Sequence, residues 1–285
     1  MFDWEKDEFL SSWDRTYVST NVKPGSTPFD IGTFAALMDD LNQAGPDLPL
    51  ISYCIIAVSS CAVGRADIVG RFFDHLTTEL DPEESRAVFL RIREALTIVY
   101  PFLGMPSCIP ACYGMIGVIQ RKGPEYASNR VLRVATVTDE DVGKGKELRR
   151  RIYSSAGNSD IFRLMEEYFA DLFTCSTAVT WGYLISKANE QVFAENHSHL
   201  IVTSAITALG AARQARSHVK ATIGIGNNVE VVKAVVNVVL AIAEWAGKPV
   251  QTPDVDECAE QVYKDFASRE DSQDKSSCAH TDKRC

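Results

Sequence analysis

The chain has 285 residues, of which 46% are hydrophobic and 24% are charged. That balance is typical of a globular protein, and the length suffices for one large domain or two smaller ones. The formal net charge is -9. This charge argues against a surface for nucleic acid or for an anionic membrane, because such surfaces are basic. A small anionic ligand stays compatible with it, since a local pocket can be positive on an acidic protein.

The apolar stretches are too short for a membrane protein. None reaches the roughly 18 residues that a membrane-spanning helix needs, and the longest, near residues 231–246, is interrupted by charged residues. The first eight residues are acidic and lack the basic start and apolar core of a signal peptide. We therefore expect a cytoplasmic protein.

The sequence pattern predicts helices along most of the chain. Residues 50–61 are apolar throughout and predict a buried helix. Asp81 and Pro82 form a good helix start, because aspartate caps and proline suits the first turn; this helix is expected to cover 86–100 and to stop at Pro101. Further helices are predicted at 32–43, 106–121, 160–174 and 179–193.

Residues 124–160 are polar and rich in turn-forming residues, which predicts a connecting region. Within it lies the basic run 149–151. Such a run is usually the solvated face of a helix, with an anion-binding role as the alternative. The polar residues from Arg269 onward predict a disordered tail.

Two parts of the chain read as diverged copies of one helical unit. Residues 50–57 (LISYCIIA) resemble residues 200–207 (LIVTSAIT), and residues 102–106 (FLGMP) resemble residues 245–249 (WAGKP). Each copy has an apolar helix, a turn, a second helix, an acidic helix start and a third apolar helix before the glycine. The predicted segments are an N-terminal arm (1–45), a first repeat (46–125), a connecting segment (126–178), a second repeat (179–266) and the tail (267–285).

The second copy carries a recognisable motif. An apolar helix from His199 leads to Gln214 and His218, four residues apart, then to Gly226 and a helix that begins near Glu230. This arrangement resembles the carboxymuconolactone decarboxylase and AhpD-like superfamily, in particular its tandem fungal members. The resemblance covers roughly residues 180–250 and implies an all-α fold, an AhpD-like helical bundle with two diverged repeats in one chain.

The motif supplies the candidate site residues. Gln214 and His218 lie on one helix face, where both side chains can reach the same space. Arg213 projects about 100° away and can reach the rim. We assign His218 and His199 as candidate catalytic residues, and Gln214 and Arg213 as candidate substrate-binding residues.

The peroxidase-type relatives use a glutamate, a Cys-x-x-Cys pair and a histidine. Carried over residue by residue, the histidine falls on His218, the thiols on Ala211 and Gln214, and the glutamate on His199. Without both thiols this site cannot exchange disulfides. In the first copy Ile68 stands near the position of His218, so that copy lacks the imidazole.

The eight cysteines are spread through apolar segments. For Cys54, Cys61 and Cys175 we expect buried free thiols that pack like small hydrophobic side chains. Cys108 and Cys112 are four apart at a helix start, where packing is favoured over a redox pair because the spacing differs from that of the usual dithiol motif.

Together these features predict an enzyme that uses His218 for acid or base chemistry on a small organic acid or polyketide-like carbonyl compound, by decarboxylation, isomerisation or dehydration. No cofactor motif is found, and metal binding near His197 and His199 is disfavoured. A homo-oligomer is expected, with neither a nucleic-acid nor a membrane partner, and a place in secondary metabolism. The alternatives are a non-catalytic helical scaffold and, less favoured, a thiol peroxidase.

Overall fold

A computed structural model describes residues 4–157 and 159–281, and this part of the chain is helical, without strands. The all-α prediction is therefore confirmed. The α-helices, numbered in chain order, are α1 Glu8–Trp13, α2 Ile31–Ala44, α3 Ser52–Ala62, α4 Ile68–Leu76, α5 Pro82–Leu103, α6 Met105–Lys122, α7 Asp139–Tyr153, α8 Ser159–Tyr168, α9 Ala170–Cys175, α10 Lys187–Gln191, α11 Glu195–Ala208, α12 Ala212–Gly224, α13 Val229–Trp245 and α14 Val255–Thr281. Two π-helices, Asp14–Val18 and Ser176–Ser186, begin directly after α1 and α9 respectively.

Helices α3 and α11 form the centre of the core. They pack against each other, and α5 and α13 pack on both of them. Side chains of α3 are buried from Ser52 to Cys61, and those of α11 from Ser198 to Ala208. A helix that is apolar all round is stable only when other helices surround it, so the sequence places these two at the middle of the molecule.

The remaining helices complete the shell around that centre. The N-terminal arm packs on α6 through α1 and the first π-helix, and Trp4 donates from Nε1 to Asp74 of α4 at 2.9 Å. Asp81 accepts hydrogen bonds from Glu83 and Glu84 at the start of α5, as predicted. Among the described residues, no helix is both long and apolar enough to cross a membrane.

Helix α7 lies unusually close to the second π-helix. A Cβ atom on Gly145 would lie 2.1 Å from the carbonyl oxygen of Thr177, and one on Gly182 would lie 1.9 Å from that of Asp141. Only glycine permits backbones to approach so closely. This contact fixes the C-terminal end of α7 beside Trp181, where the candidate site is formed.

Several local predictions differ from the structure. Helix α5 continues through Pro101 and ends at Gly104, which adopts a φ of +80° that favours glycine. One proline removes one donor, so near a helix end its cost is small compared with the packing gained. Residues 124–160 contain α7, which begins with a capping box formed by Thr138 and Asp141. Cys54 and Cys61 are buried as expected, whereas Cys175 is exposed, because it ends α9 on the surface.

The predicted segment boundaries can be compared with the helices. The arm (1–45) contains α1 and α2, and the connecting segment (126–178) contains α7 to α9. Helix α14 extends to Thr281, inside the segment 267–285 for which the sequence predicts disorder. Residues 282–285 lie outside the described residues.

Candidate functional site

Two buried histidines from neighbouring helices meet inside the protein. His199 lies in the second turn of α11, and His218 lies in the middle of α12. Their rings are nearly parallel, with centroids 5.2 Å apart and an interplanar angle of 23°. Only 1% of His199 and 4% of His218 is exposed to solvent. The structure thus brings together the two residues that the sequence assigns as catalytic.

Aromatic rings surround the histidine pair. Trp181 of the second π-helix stacks on His218, with centroids 6.5 Å apart, and lies 6.3 Å from His199. Phe102, near the end of α5, meets His218 edge-on at 6.1 Å. Tyr153, the last residue of α7, is within 3.0 Å of His218, between Oη and Nε2. π-Helical turns are often found at functional sites, where they redirect side chains.

Three nitrogen atoms of the pair are buried without a hydrogen-bond partner among the described residues. They are Nδ1 of His218 and both ring nitrogens of His199. Leaving a buried polar group unpaired costs roughly 1–3 kcal/mol, and such groups are rare in native proteins. Three of them in one cluster mark the histidine pair as the candidate site.

The enclosure controls the protonation of these groups. Burial lowers the pKa of His218 to about 4. Burial, together with the neighbouring His218, lowers the pKa of His199 well below its ordinary value. Burial also raises the pKa of the Tyr153 hydroxyl, an effect that the charge of Arg149 opposes. At neutral pH the site therefore holds two neutral imidazoles and a protonated phenol.

The hydrogen bond to Tyr153 leaves Nδ1 as the free end of His218. When Nε2 carries the proton, it donates to Tyr153 and Nδ1 is a base. When Nδ1 carries the proton, the Tyr153 hydroxyl donates to Nε2 and Nδ1 becomes a donor. The same ring can thus take a proton from a bound molecule or donate to it.

Arg149 lies beside this cluster, one helical turn before Tyr153 on α7. Its Nη1 donates to the hydroxyl of Thr177 at 2.7 Å. Its guanidinium packs over the ring of Phe173 at 3.7 Å and over that of Phe162 at 4.6 Å. The rings of Phe162 and Tyr153 are 4.8 Å apart. The arginine and these three aromatic residues are half-buried, so this side of the cluster reaches solvent.

The other two predicted site residues lie elsewhere. Arg213 and Gln214 are in the first turn of α12 and are exposed, and burial along this helix begins at Ala215. The structure does not bring them to the buried face that carries His218. Asn227 and Asn228, whose ordinary role is capping, follow the same helix, and Asn228 caps the next one by accepting from the backbone of Glu230 at 2.8 Å.

Sequence reasoning missed Tyr153, and it named Arg149 only within the basic run, for which a solvated helix face was favoured over anion binding. The available signal was their spacing of four residues, which places both on one face of a helix. Of the basic run, only Arg149 turns inward: Arg150 is exposed, and Arg151 pairs with Glu195 at 2.8 Å. Trp181 lies within the segment that carries the resemblance, but no pattern in the sequence assigns it a role of its own.

The structure also shows the residues on which the metal and thiol alternatives depend. In the described part of the chain, no three histidine, cysteine, aspartate or glutamate side chains are placed to hold a metal ion. Cys108 is buried and Cys112 is half-buried. Burial raises the pKa of Cys108 to about 12 and also raises that of Cys112. Both are therefore protonated and weakly nucleophilic at neutral pH.

Two surface clefts lie away from the histidine pair. One, of about 420 Å³, is formed by the ends of α3 and α11 near Lys248. The other, of about 910 Å³, lies between the N-terminal arm and α4, near Trp4 and Arg71. Neither cleft includes His199 or His218, so both are separate from the candidate site.

Comparison with family models, with curated proteins and with solved structures finds no match to this chain. The resemblance therefore rests on the motif around His218.

Proposed function

We propose that this protein is an enzyme of the carboxymuconolactone decarboxylase-like type. In this proposal His218 performs acid or base chemistry on a small organic acid or polyketide-like carbonyl compound, and His199 assists. The observation that carries the proposal is the neutral, buried ring of His218, which is held by Tyr153 at Nε2 and is unpartnered at Nδ1 among the described residues.

The chemistry begins with a proton transfer. Nδ1 of His218 takes a proton from the carbon next to a carbonyl group, and the C–H electron pair moves to the carbonyl oxygen as an enolate. An N–H of His199 donates to that oxygen and stabilises its charge. The imidazolium then returns the proton to another carbon in an isomerisation, or to a departing hydroxyl group in a dehydration.

Decarboxylation uses the other tautomer of His218. The electron pair of the breaking C–C bond remains on the substrate as an enolate while carbon dioxide departs. Nδ1–H of His218 then protonates the carbon while the Tyr153 hydroxyl passes its proton to Nε2 and takes one from water, so no tyrosinate persists, as the raised pKa of Tyr153 requires. The hydroxide that remains combines with the carbon dioxide to give bicarbonate. The ring regains its first tautomer by taking a proton at Nδ1 and releasing one from Nε2 through Tyr153 to water.

The order of the helices supports the proposal of two diverged repeats. Helices α3, α4 and α5 are followed later by α11, α12 and α13, and each set ends before a glycine of positive φ, Gly104 at +80° and Gly247 at +67°. Ile68 begins α4, whereas His218 lies within α12. We therefore assign the chemistry to the second repeat alone.

One observation favours the alternative of a non-catalytic scaffold. Tyr168 of α8, Leu172 of α9 and Phe169 between the two helices expose apolar surface, as expected if copies of the chain associate there. A scaffold, however, gives no reason for unpartnered nitrogens inside α11 and α12. The thiol-peroxidase alternative is further disfavoured because Ala211 and Gln214 stand at the thiol positions.

The test replaces His218 with glutamine, which keeps a polar group near the position of Nε2 but cannot accept a proton. Metabolites are compared in cells that carry the wild-type gene, a deletion, His218→Gln, or His75→Gln, which alters an exposed histidine. We expect His218→Gln to reproduce the accumulation of an organic acid or carbonyl compound seen in the deletion, and His75→Gln to match the wild type. Wild-type metabolite levels in the His218→Gln cells, with the variant folded, would contradict the proposal.

A further inference from the structure

Arg149 is a half-buried arginine that forms no ion pair within 4.0 Å in the described part of the chain, although the negative charge of Glu166 lies near enough to act on it. Its guanidinium offers five N–H donors, of which one bonds to Thr177. Other arginines with little solvent exposure form direct ion pairs: Arg65 pairs with Asp67 at 2.9 Å, and Arg133 pairs with Glu94 at 2.7 Å. The charge of Arg149 is thus partly removed from water without the direct ion pair that Arg65 and Arg133 have, and Glu166 compensates it only from a greater distance.

The surroundings of Arg149 define the shape of what it can bind. Phe173 covers one part of the guanidinium, and Phe162 contacts both Arg149 and Tyr153. Rings thus extend from Arg149 through Tyr153 to Trp181, whose ring centroid is 5.5 Å from that of Tyr153. Aromatic walls favour planar ligands, because rings stack or meet edge-on. A guanidinium favours a carboxylate, which it can hold through two parallel hydrogen bonds.

We propose that Arg149 binds the carboxylate of an aromatic or similarly planar unsaturated acid, and so holds that acid beside Tyr153 and the histidine pair. This inference rests on the proposed function, since it names the substrate class for the same site. A second, independent observation supports it: the ring nitrogens of His199 and His218 that have no partner among the described residues can hydrogen-bond to a polar group of a ligand. A ligand with a carboxylate at Arg149 and a carbonyl or hydroxyl group at the histidines would provide hydrogen-bond partners for both the guanidinium and the ring nitrogens.

The proposal moves substrate binding from Arg213 to Arg149, which belongs to the basic run for which anion binding was the alternative. Arg213 is exposed in the first turn of α12, where water competes for the guanidinium. Arg149 is half-buried, and burial lowers its pKa without neutralising it. A charge in such surroundings attracts a carboxylate more strongly than one in bulk water.

The test measures binding of benzoate and of its uncharged analogue benzamide to the full-length protein by isothermal titration calorimetry. The variants are Arg149→Gln, Arg149→Lys and the matched control Arg150→Gln, which alters the exposed neighbour. We expect the wild type to bind benzoate at least tenfold more tightly than benzamide, which corresponds to about 1.4 kcal/mol. Arg149→Gln should lose about tenfold or more of the benzoate affinity with little change for benzamide. Arg150→Gln should match the wild type.

The Arg149→Lys variant tests whether a loss of benzoate affinity in Arg149→Gln is caused by misfolding. Lysine keeps the charge and much of the packing but lacks the planar fork, so its benzoate affinity should lie between those of the wild type and Arg149→Gln. Equal affinities for benzoate and benzamide, no binding of either at about 10 mM, or unchanged benzoate affinity in Arg149→Gln would each overturn the proposal.

The two proposals can fail separately. If benzoate binding depends on Arg149 while His218→Gln leaves the metabolites unchanged, the acid site stands and the acid/base function fails. If His218→Gln reproduces the deletion while Arg149→Gln keeps its benzoate affinity, the function stands and Arg149 is not its anion-binding residue.

Discussion

Replacing Gly145 with alanine will destabilise the protein strongly, whereas the same change two residues earlier will stabilise it. A Cβ atom at 145 would lie 2.1 Å from the carbonyl oxygen of Thr177 and 2.8 Å from the backbone nitrogen of Gly182. Neither neighbour is a flexible side chain, so α7 must move away from the π-helix. Overpacking of this kind costs about 3 kcal/mol or more. At Gly143 an added Cβ meets nothing within 4 Å, and alanine gains about 1 kcal/mol of helix propensity.

Urea unfolding of the Gly143→Ala and Gly145→Ala variants measures these two changes in stability directly. Their free energies of unfolding should differ by about 4 kcal/mol, with the wild type between them. Since Arg149 and Tyr153 lie on the same helix, benzoate binding should weaken in Gly145→Ala and persist in Gly143→Ala. Equal stability of the two variants would show that α7 does not approach the π-helix as described.

This pair of glycines also shows why some of the fold was predictable and some was not. The buried helix at 50–61 and the start of α5 at Asp81 depend on local features, an apolar stretch and a capping residue, so both were predicted correctly. From residue 179 onward, the π-helix Ser176–Ser186 was predicted as part of one ordinary helix over 179–193. Its backbone packs against α7 through Gly145 and Gly182, and no local pattern reports such a contact.

The candidate site, too, was predictable from the sequence only in part. His199 and His218 were found through the motif, and the packing of α11 on α12 brings their rings together. Gln214 shares a helix face with His218 by spacing, yet burial of α12 begins at Ala215, so the two side chains have different surroundings. Arg149 and Tyr153 come from a helix that the sequence treats as a polar connection, and only the tertiary structure places them at His218.

The two buried histidines should make the free energy of unfolding strongly dependent on pH. In the unfolded chain a histidine binds a proton near its ordinary pKa of about 6.5, whereas in the folded protein His218 does so only near a pKa of about 4. Between these values the unfolded state binds more protons, so stability falls as the pH decreases from about 6.5 to about 4. From about pH 7.5 to about pH 5, His218 alone should remove about 2 kcal/mol. The pKa of His199 is lowered in the same direction, so it adds to this loss.

Comparing variants isolates the contribution of His218 from that of the other titrating groups. Urea unfolding of the wild type, His218→Gln and His75→Gln is measured at about pH 7.5 and about pH 5. The loss of stability between the two values should be about 2 kcal/mol smaller in His218→Gln than in the wild type, and unchanged in His75→Gln, whose histidine is exposed. The opposite shift of Asp14, whose pKa burial raises, cancels because it is common to all three proteins. If the three proteins lost the same stability, His218 would be reached by water and partly protonated near pH 6, and it could not be the neutral, enclosed base that the proposed chemistry requires.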